Sequence, residues 1–322
     1  MKQILVNENQ AGQRLDKLLF KFLNNAPKSF IYKMLRKKNI VLNGRKASGA
    51  EILKVNDEVK LYLSDETIDK FTKKLETAIL DFELDVIYED KNILILNKPA
   101  GILSQKAVVN DYSMVEYIIS YMLSKNQISK EQLMSFKPSV CNRLDRNTSG
   151  LLIAGKTLVG LQEMSRLFKE RKIDKYYLSM VKGQVKETAK ITGYLRKDKT
   201  RNIVTVTTEP SSESNYICTE YQPLKVSEDF TLLQVKLITG KSHQIRAHLS
   251  SIGHPILGDA KYGDTDLNES LRHKYGLNHQ LLHSYRCVFP QILGPLSNLS
   301  GREFQAPEPE IFTRIKKDLF GI

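Results

Sequence analysis

The spacing of apolar residues changes along the chain, and each change marks a predicted element. Over residues 14–24, Leu15, Leu18, Leu19, Phe22 and Leu23 fall at the three-and-four spacing of an amphipathic helix. Pro27 ends it, and Ser29 is placed to cap a second helix running to about Lys38. There Phe30, Ile31, Met34 and Leu35 share one face while Lys33, Arg36 and Lys37 lie away from it, so one side is core and the other cationic. The pattern then turns strand-like over 40–42, with an Asn43-Gly44 turn, a return strand and a further strand over 55–63. A helix pair followed by a small sheet is the predicted N-terminal unit, residues 1–64.

Residues 64–81 are polar, mixed in charge and weakly periodic, which predicts a tether, drawn here as a linker over 65–82. The second unit, residues 83–322, opens on short apolar runs. Val86-Ile87-Tyr88 and residues 93–96 flank a polar turn, and Lys98-Pro99 stops the second run. Further strands are predicted over 151–155, 176–181, 203–207, 216–221, 231–237 and 285–289. A helix over 157–170 has Leu158, Leu161, Met164, Leu167 and Phe168 in phase. Strand and helix do not alternate regularly, so the expected fold class is α+β with a mixed, largely antiparallel sheet, not a doubly wound one.

Composition narrows the class of function. The 322 residues, 41% of them hydrophobic, make an ordinary globular chain of about two domains. Its 49 Lys+Arg against 36 Asp+Glu leave a net charge of +13, and residues 1–62 hold 13 of those cations against 5 acids. So concentrated a surplus suits a module that binds a polyanion, nucleic acid first, although a merely solvated surface has the same composition. Cys141, Cys218 and Cys287 are dispersed and odd in number, which predicts a reducing compartment, the cytoplasm. No apolar run suits a signal peptide or a membrane span, so neither secretion nor membrane insertion is expected.

Two polar segments hold the candidate chemistry. Residues 142–150 form a charged loop feeding an apolar strand, with Asp145 between Arg143 and Arg146. Flanking guanidinium groups favour an ionised carboxylate, available as nucleophile or base. Residues 239–248 join a strand end to a short helix and carry Lys241, His243, Arg246 and His248. Alone, each segment is equally well an ion-pair turn or a capped turn. The five-residue gap between His243 and His248 does not suit a zinc pair on a helix, and no metal or cofactor is expected. Dinucleotide, P-loop, nucleophile-elbow and zinc-protease motifs are missing from the sequence.

Taken in order, the blocks become specific: Asn97-Lys98-Pro99-Ala100-Gly101, Arg143-Leu144-Asp145 with Thr148-Ser149-Gly150-Leu151, Lys175-Tyr176-Tyr177-Leu178 with Gly183, Thr239-Gly240-Lys241 with His243-Gln244-Ile245-Arg246, then Gly258-Asp259, Tyr262-Gly263 and Leu281-Leu282-His283. This series resembles the RluA family of pseudouridine synthases, and within it the RluC type, which acts on large-subunit ribosomal RNA. Arg14-Leu15-Asp16-Lys17-Leu18-Leu19, Val41-Leu42-Asn43-Gly44 and Asn56-Asp57-Glu58-Val59 resemble an S-four-type RNA-binding domain, named for a small-subunit ribosomal protein.

The resemblance implies an enzyme that isomerises uridine, flipped from its stack, without a cofactor. Asp145 would be the catalytic carboxylate, acting at the sugar or at the base. Arg246 would pair with it, and Tyr177 would stack on the base and help remove the proton at carbon five. Arg143, Arg146 and Lys241 would hold flanking phosphates, and Lys33, Arg36, Lys37, Lys38, Arg45 and Lys46 would contact RNA from the N-terminal unit. Period-two geometry turns Tyr176 to the opposite face of the strand from Tyr177. The chain departs from the family pattern at Asn142, where His is usual, and at Lys241, where Arg is usual. The expected partner is RNA, ribosomal more than transfer RNA, met by a monomer. A noncatalytic RNA-binding assembly factor of the same fold is the rival from another class.

Overall fold

The computed structural model describes residues 1–72, 80–108, 110–198, 200 and 202–322. The N-terminal unit runs β1 (Lys2–Leu5), α1 (Leu15–Phe22), α2 (Lys28–Arg36), β2 (Ile40–Leu42), β3 (Arg45–Lys46), β4 (Glu58–Leu61) and α3 (Asp65–Phe71). Its sheet has the order β1-β4-β2-β3, every pair antiparallel. Leu15, Leu18, Leu19, Ile31, Leu35, Ile40, Val59 and Leu61 make its core, so the predicted helix spacing and the strand pattern bury into one cluster. Helix α2 starts at Lys28 behind Pro27, one residue before the expected Ser29 cap, because proline's fixed φ already suits a helix entry.

The predicted linker is not a tether over its first part. Ser64 caps α3 by accepting from the Thr67 N–H at 3.2 Å, Ile68 joins the N-terminal core, and Phe71 lies 4.5 Å from Phe30, ring to ring. Residues 73–79 of that linker lie outside the described residues. At its far end the Leu80 N–H donates to Ser120 Oγ at 2.7 Å and Phe82 stacks on Tyr117, so those residues pack on the second unit.

The second unit runs β5 (Val86–Glu89), β6 (Ile93–Lys98), α4 (Met114–Ser124), α5 (Lys130–Leu133), β7 (Ser139–Val140), β8 (Ser149–Gly155), α6 (Leu158–Lys169), β9 (Asp174–Lys182), β10 (Ala189–Asp198), β11 (Ile203–Thr207), β12 (Ser214–Val226), β13 (Phe230–Leu237), α7 (Gln244–Ser251), α8 (Thr265–Tyr275), β14 (Leu282–Val288), β15 (Glu303–Gln305) and α9 (Glu310–Phe320). One large sheet has the order β11-β10-β12-β13-β9-β14-β8-β6-β5, with β15 on β14 and β7 on β8. Its pairs are antiparallel except β14 with β8, which matches the expected largely antiparallel α+β unit.

The two apolar runs that lacked alternation are central strands covered on both faces. Leu94, Leu96, Leu152 and Ala154 face α4, while Ile93, Ile95, Leu151 and Ile153 face α6 and the C-terminal segments. At the β8–β14 crossing Gly150 has φ +106°, and a Cβ there would sit 2.2 Å from the Ser284 carbonyl oxygen, so only glycine lets the two strands meet. The loop before β8, the start of β9 and the end of β13 line one cavity.

Candidate active site

Asp145 lies in the loop between β7 and β8, and that loop is pinned from beneath. Ser104 exchanges hydrogen bonds with Leu144, accepting from its N–H at 3.0 Å and donating to its carbonyl at 2.8 Å. Lys98, fully buried at the end of β6, donates to the carbonyls of Pro99, Ile102 and Arg146 at 2.7, 2.8 and 3.0 Å. Three carbonyls match the three protons of an ammonium. Burial pushes its pKa down to about 7 against the opposing charge of Asp145. Asn142 Oδ1 accepts from the Ile153 N–H at 2.8 Å and its Nδ2 donates to the Leu151 carbonyl at 3.2 Å, so both halves of the amide clamp the loop to β8.

Arg246 comes from α7, whose first residue, Gln244, is anchored by Thr239 Oγ1 and the Lys241 N–H at 2.9 and 3.1 Å, and by its own Nε2 on the Cys218 carbonyl. The Arg246 guanidinium donates through Nη1 to Asp145 Oδ2 at 3.0 Å. Its other edge makes a bidentate pair with Asp259, Nε to Oδ2 at 2.7 Å and Nη2 to Oδ1 at 2.8 Å. Burial works against this charge, and the hydrogen bonds and charges of Asp259 and then Asp145 more than reverse it, so the guanidinium is held firmly protonated.

Asp259 stands in one of the sequence blocks without a role assigned to it there, and in the fold it orients Arg246. Burial pushes its carboxyl up, while the Arg246 hydrogen bonds and charge, with the N–H groups of Lys261 and Tyr262, bring it below its ordinary value. Gly263 closes this turn: a Cβ there would sit 2.3 Å from the Asp259 carbonyl oxygen. The signal that finds Asp259 is three-dimensional, a fully buried carboxylate facing a guanidinium thirteen residues earlier in the chain.

Tyr177 lies on β9, buried to 5% exposure, with its ring in the same cavity wall. Burial pushes its hydroxyl up to about 12, with a hydrogen bond from Ser284 acting the other way. Tyr176 takes the opposite face as expected, stacked under the Arg286 guanidinium at 4.0 Å. The shared cavity is a cleft of about 940 Å³ lined by Asp145, Tyr177 and Arg246 together with Arg143, Arg146 and Lys241. Among the described lining residues ten are Lys or Arg and one, Asp145, is a carboxylate. Lys241 Nζ donates to Asn215 Oδ1 at 2.9 Å on the rim.

The six N-terminal cations stand apart from this cleft. Lys33, Arg36, Lys37, Lys38, Arg45 and Lys46 are all exposed, the first two on the outer side of α2, the next two in the turn that ends it and the last two on β3. Cys141, Cys218 and Cys287 are free thiols, and among the described residues no helix is long and apolar enough to cross a membrane.

Comparison with known proteins adds a family to this geometry. The family model described as RNA pseudouridylate synthase matches residues 92–251. An uncharacterized RNA pseudouridine synthase of Mycoplasma genitalium is 32% identical over 90% of this chain and 90% of its own length. Ribosomal large subunit pseudouridine synthase C of Vibrio parahaemolyticus is 30% identical over 98% of this chain and 95% of its own. Among solved structures, human RNA pseudouridylate synthase domain containing 4 superposes with a TM-score of 0.58 at 21% identity, covering 73% of this chain and 92% of that one. The human domain-containing 1 protein gives 0.54 at 21% identity, over 70% and 84%.

Proposed function

The chain belongs to the RluA family of RNA pseudouridine synthases, and from that premise we propose that it isomerises uridines of large-subunit ribosomal RNA, with Asp145 as the catalytic carboxylate. The observation that carries this reading is Asp145 held at 3.0 Å by an arginine that Asp259 braces from behind, the one carboxylate among the described residues lining a cleft that also holds ten Lys or Arg. A buried guanidinium with one carboxylate as fixed partner and a second facing the cleft holds that second carboxylate in a fixed orientation.

Isomerisation breaks the bond between ribose C1′ and N1 of the base and forms one from C1′ to C5. The C5 proton leaves and N1 gains one, so the reaction is balanced without oxidant or water. The target base must leave its stack, which costs a few kcal/mol, and Arg143, Arg146 and Lys241 on the rim offset this by binding flanking phosphates. Asp145 then acts at the sugar or at the base. Tyr177, with its proton held to about pH 12, offers the base a ring face and a hydroxyl at neutral pH; a phenolate that takes the C5 proton is not at hand.

The ribosomal substrate is supported by relatives of that printed activity aligning over 98% of the chain, N-terminal unit included. That unit, a helix pair and small sheet with six exposed cations, is read as an S-four-like RNA-docking domain. One copy supplies Asp145, Tyr177, Arg246 and Asp259, so a monomer suffices, working in the cytoplasm where its three thiols stay reduced. The test is pseudouridine mapping of ribosomal and transfer RNA from cells lacking the protein, rescued with wild type or Asp145→Asn. Loss of large-subunit sites restored by wild type alone is the expected result. Persistence of every site, in a strain with no second enzyme to cover them, would overturn the reading, and loss confined to transfer RNA would correct its substrate.

A further inference from the structure

One cation in the cleft is neither on the rim nor paired. Lys175 is the second residue of β9, two before Tyr177 and therefore on the same face of the strand, about 7 Å along it. Its side chain is half-buried and lines the cleft. Among the described residues its ammonium has no hydrogen-bond or ion-pair partner. The Phe168 ring lies 5.9 Å from Nζ to its centroid, and a Cβ on Gly240 would lie 3.7 Å from Nζ. The neighbouring carboxylate, Asp174, points to the other face and pairs with Lys236 at 3.0 Å.

Lys98 and Arg246, the other buried cations of this region, have partners, the first three carbonyls and the second two carboxylates. An ammonium taken from water without an acceptor is destabilising, and burial together with the charge of Arg171 holds the Lys175 pKa below its ordinary value. Arg171 occupies the turn between α6 and β9 with φ +56°, the left-handed region that glycine usually fills at a helix end. It is exposed and lines the same cleft, adding a second cation beside the first. Two convergent cations next to the tyrosine of the site suit a compact anion, and the anion an RNA substrate carries at every step is the phosphodiester.

We propose that Lys175, seconded by Arg171, binds the backbone phosphate of a nucleotide flanking the flipped uridine, a subsite on the β9 wall of the cleft. The inference rests on the RNA reading above and specifies where that RNA runs. The phosphate supplies the acceptor that the protein withholds, so the Lys175 charge is satisfied only in the complex.

The experiment uses the full chain and ribosomal RNA labelled with [5-³H]uridine, isolated from cells lacking the protein, with tritium release as the readout of C5–H loss. Lys175→Met is expected to raise KM about tenfold or more while kcat stays within about threefold, the scale of one charge-assisted hydrogen bond. The slope of log kcat/KM against log salt should become shallower by about 0.7, one phosphate contact on a single strand. Lys175→Arg should restore most of KM, and the Met variant should melt no lower than wild type, because it removes an unpaired charge. An unchanged KM and salt slope overturns the subsite. So does a lowered melting temperature with a fall in kcat alone, which marks a structural lysine. If wild type itself releases no tritium, the failure belongs to the proposed reaction, and filter binding of the same RNA across a salt series still decides the subsite by the same slope.

Discussion

The N-terminal unit and the catalytic cleft are both basic, and they hold their cations in opposite ways. On α2 and its C-cap, Ile31, Met34 and Leu35 enter the core while Lys33, Arg36 and Lys37 stand in solvent, so each charge is independent of the fold. At the cleft, Arg246 in its wall and Lys98 beneath its loop are buried and matched partner by partner, and the loop carrying Asp145 depends on them. Exposed cations add up by number, whereas buried ones work by geometry. The first kind should show in salt dependence and the second in turnover and stability.

The sharpest way to test this division is Asp145→Asn. The amide keeps the shape of the loop, and Asp259 still holds Arg246, so the melting temperature should stay within a few degrees of wild type. Tritium release should fall by about 10³-fold or more, the scale of losing a positioned nucleophile or base. A variant that keeps turnover within about tenfold would place the chemistry elsewhere.

Asp259→Asn should strike both properties at once. It leaves the buried Arg246 with one carboxylate in place of two, and unpairing a buried ion typically destabilises by about 3–5 kcal/mol. Calorimetry should register this as a melting temperature lower by roughly 10 °C for a unit of this size. Activity should drop about 10²-fold through misplacement of Asp145. The pH dependence has a definite sign. Because the folded-state pKa of Asp259 is lowered, its contribution is fully present above the unfolded carboxyl value of about 3.9 and is lost as pH falls through the folded value. Wild type should therefore lose stability below about pH 4, and Asp259→Asn should flatten that part of the curve.

Tyr177 gives a smaller effect. Tyr177→Phe keeps the ring in the cleft wall and removes only the hydroxyl shared with Ser284, so kcat should fall about tenfold or less, the scale of one hydrogen bond. The pH–rate profile of this variant should keep its shape, since a hydroxyl protonated up to about 12 does not titrate in the working range. A lost alkaline limb would instead make Tyr177 the base.

The same division explains what the sequence made legible. Regular periodicity located α1, α2, α6 and most strands, because each buries one face, or both, in a continuous core. Helix α4 went unassigned although Val115, Ile118, Ile119 and Met122 keep the three-and-four spacing of a helix and Ser113 and Glu116 form a capping box that marks the start. Helices α8 and α9 went unassigned although Leu267, Leu271 and Tyr275 in the one and Phe312, Ile315 and Leu319 in the other keep helical spacing, with Asp264 and Pro309 before them and Gly276 and Gly321 after. Asp145, Tyr177 and Arg246 were named through ordered motifs. Their meeting, and the parts of Asp259, Lys98 and Lys175, depend on contacts between β6, β9, α7 and the Asp145 loop, segments separated by tens of residues, which no local pattern encodes.

The N-terminal cations should give the smallest effects residue by residue. Lys33→Ala, Arg36→Ala or Lys37→Ala alone should lower kcat/KM on ribosomal RNA by about two- to fivefold, since an exposed cation is screened and its loss exposes no unpaired group. kcat at saturating RNA should not change, because none of the three lines the cleft. The triple variant should act as a sum, with a salt slope shallower by about 0.7 for each phosphate no longer bound, and at high salt it should converge on wild type. The same salt series on Asp259→Asn should run parallel to wild type at every concentration, displaced by a constant factor. If the triple variant instead lowered kcat, or its deficit persisted in high salt, those three cations would be acting by geometry, and the contrast between the two basic regions would fail.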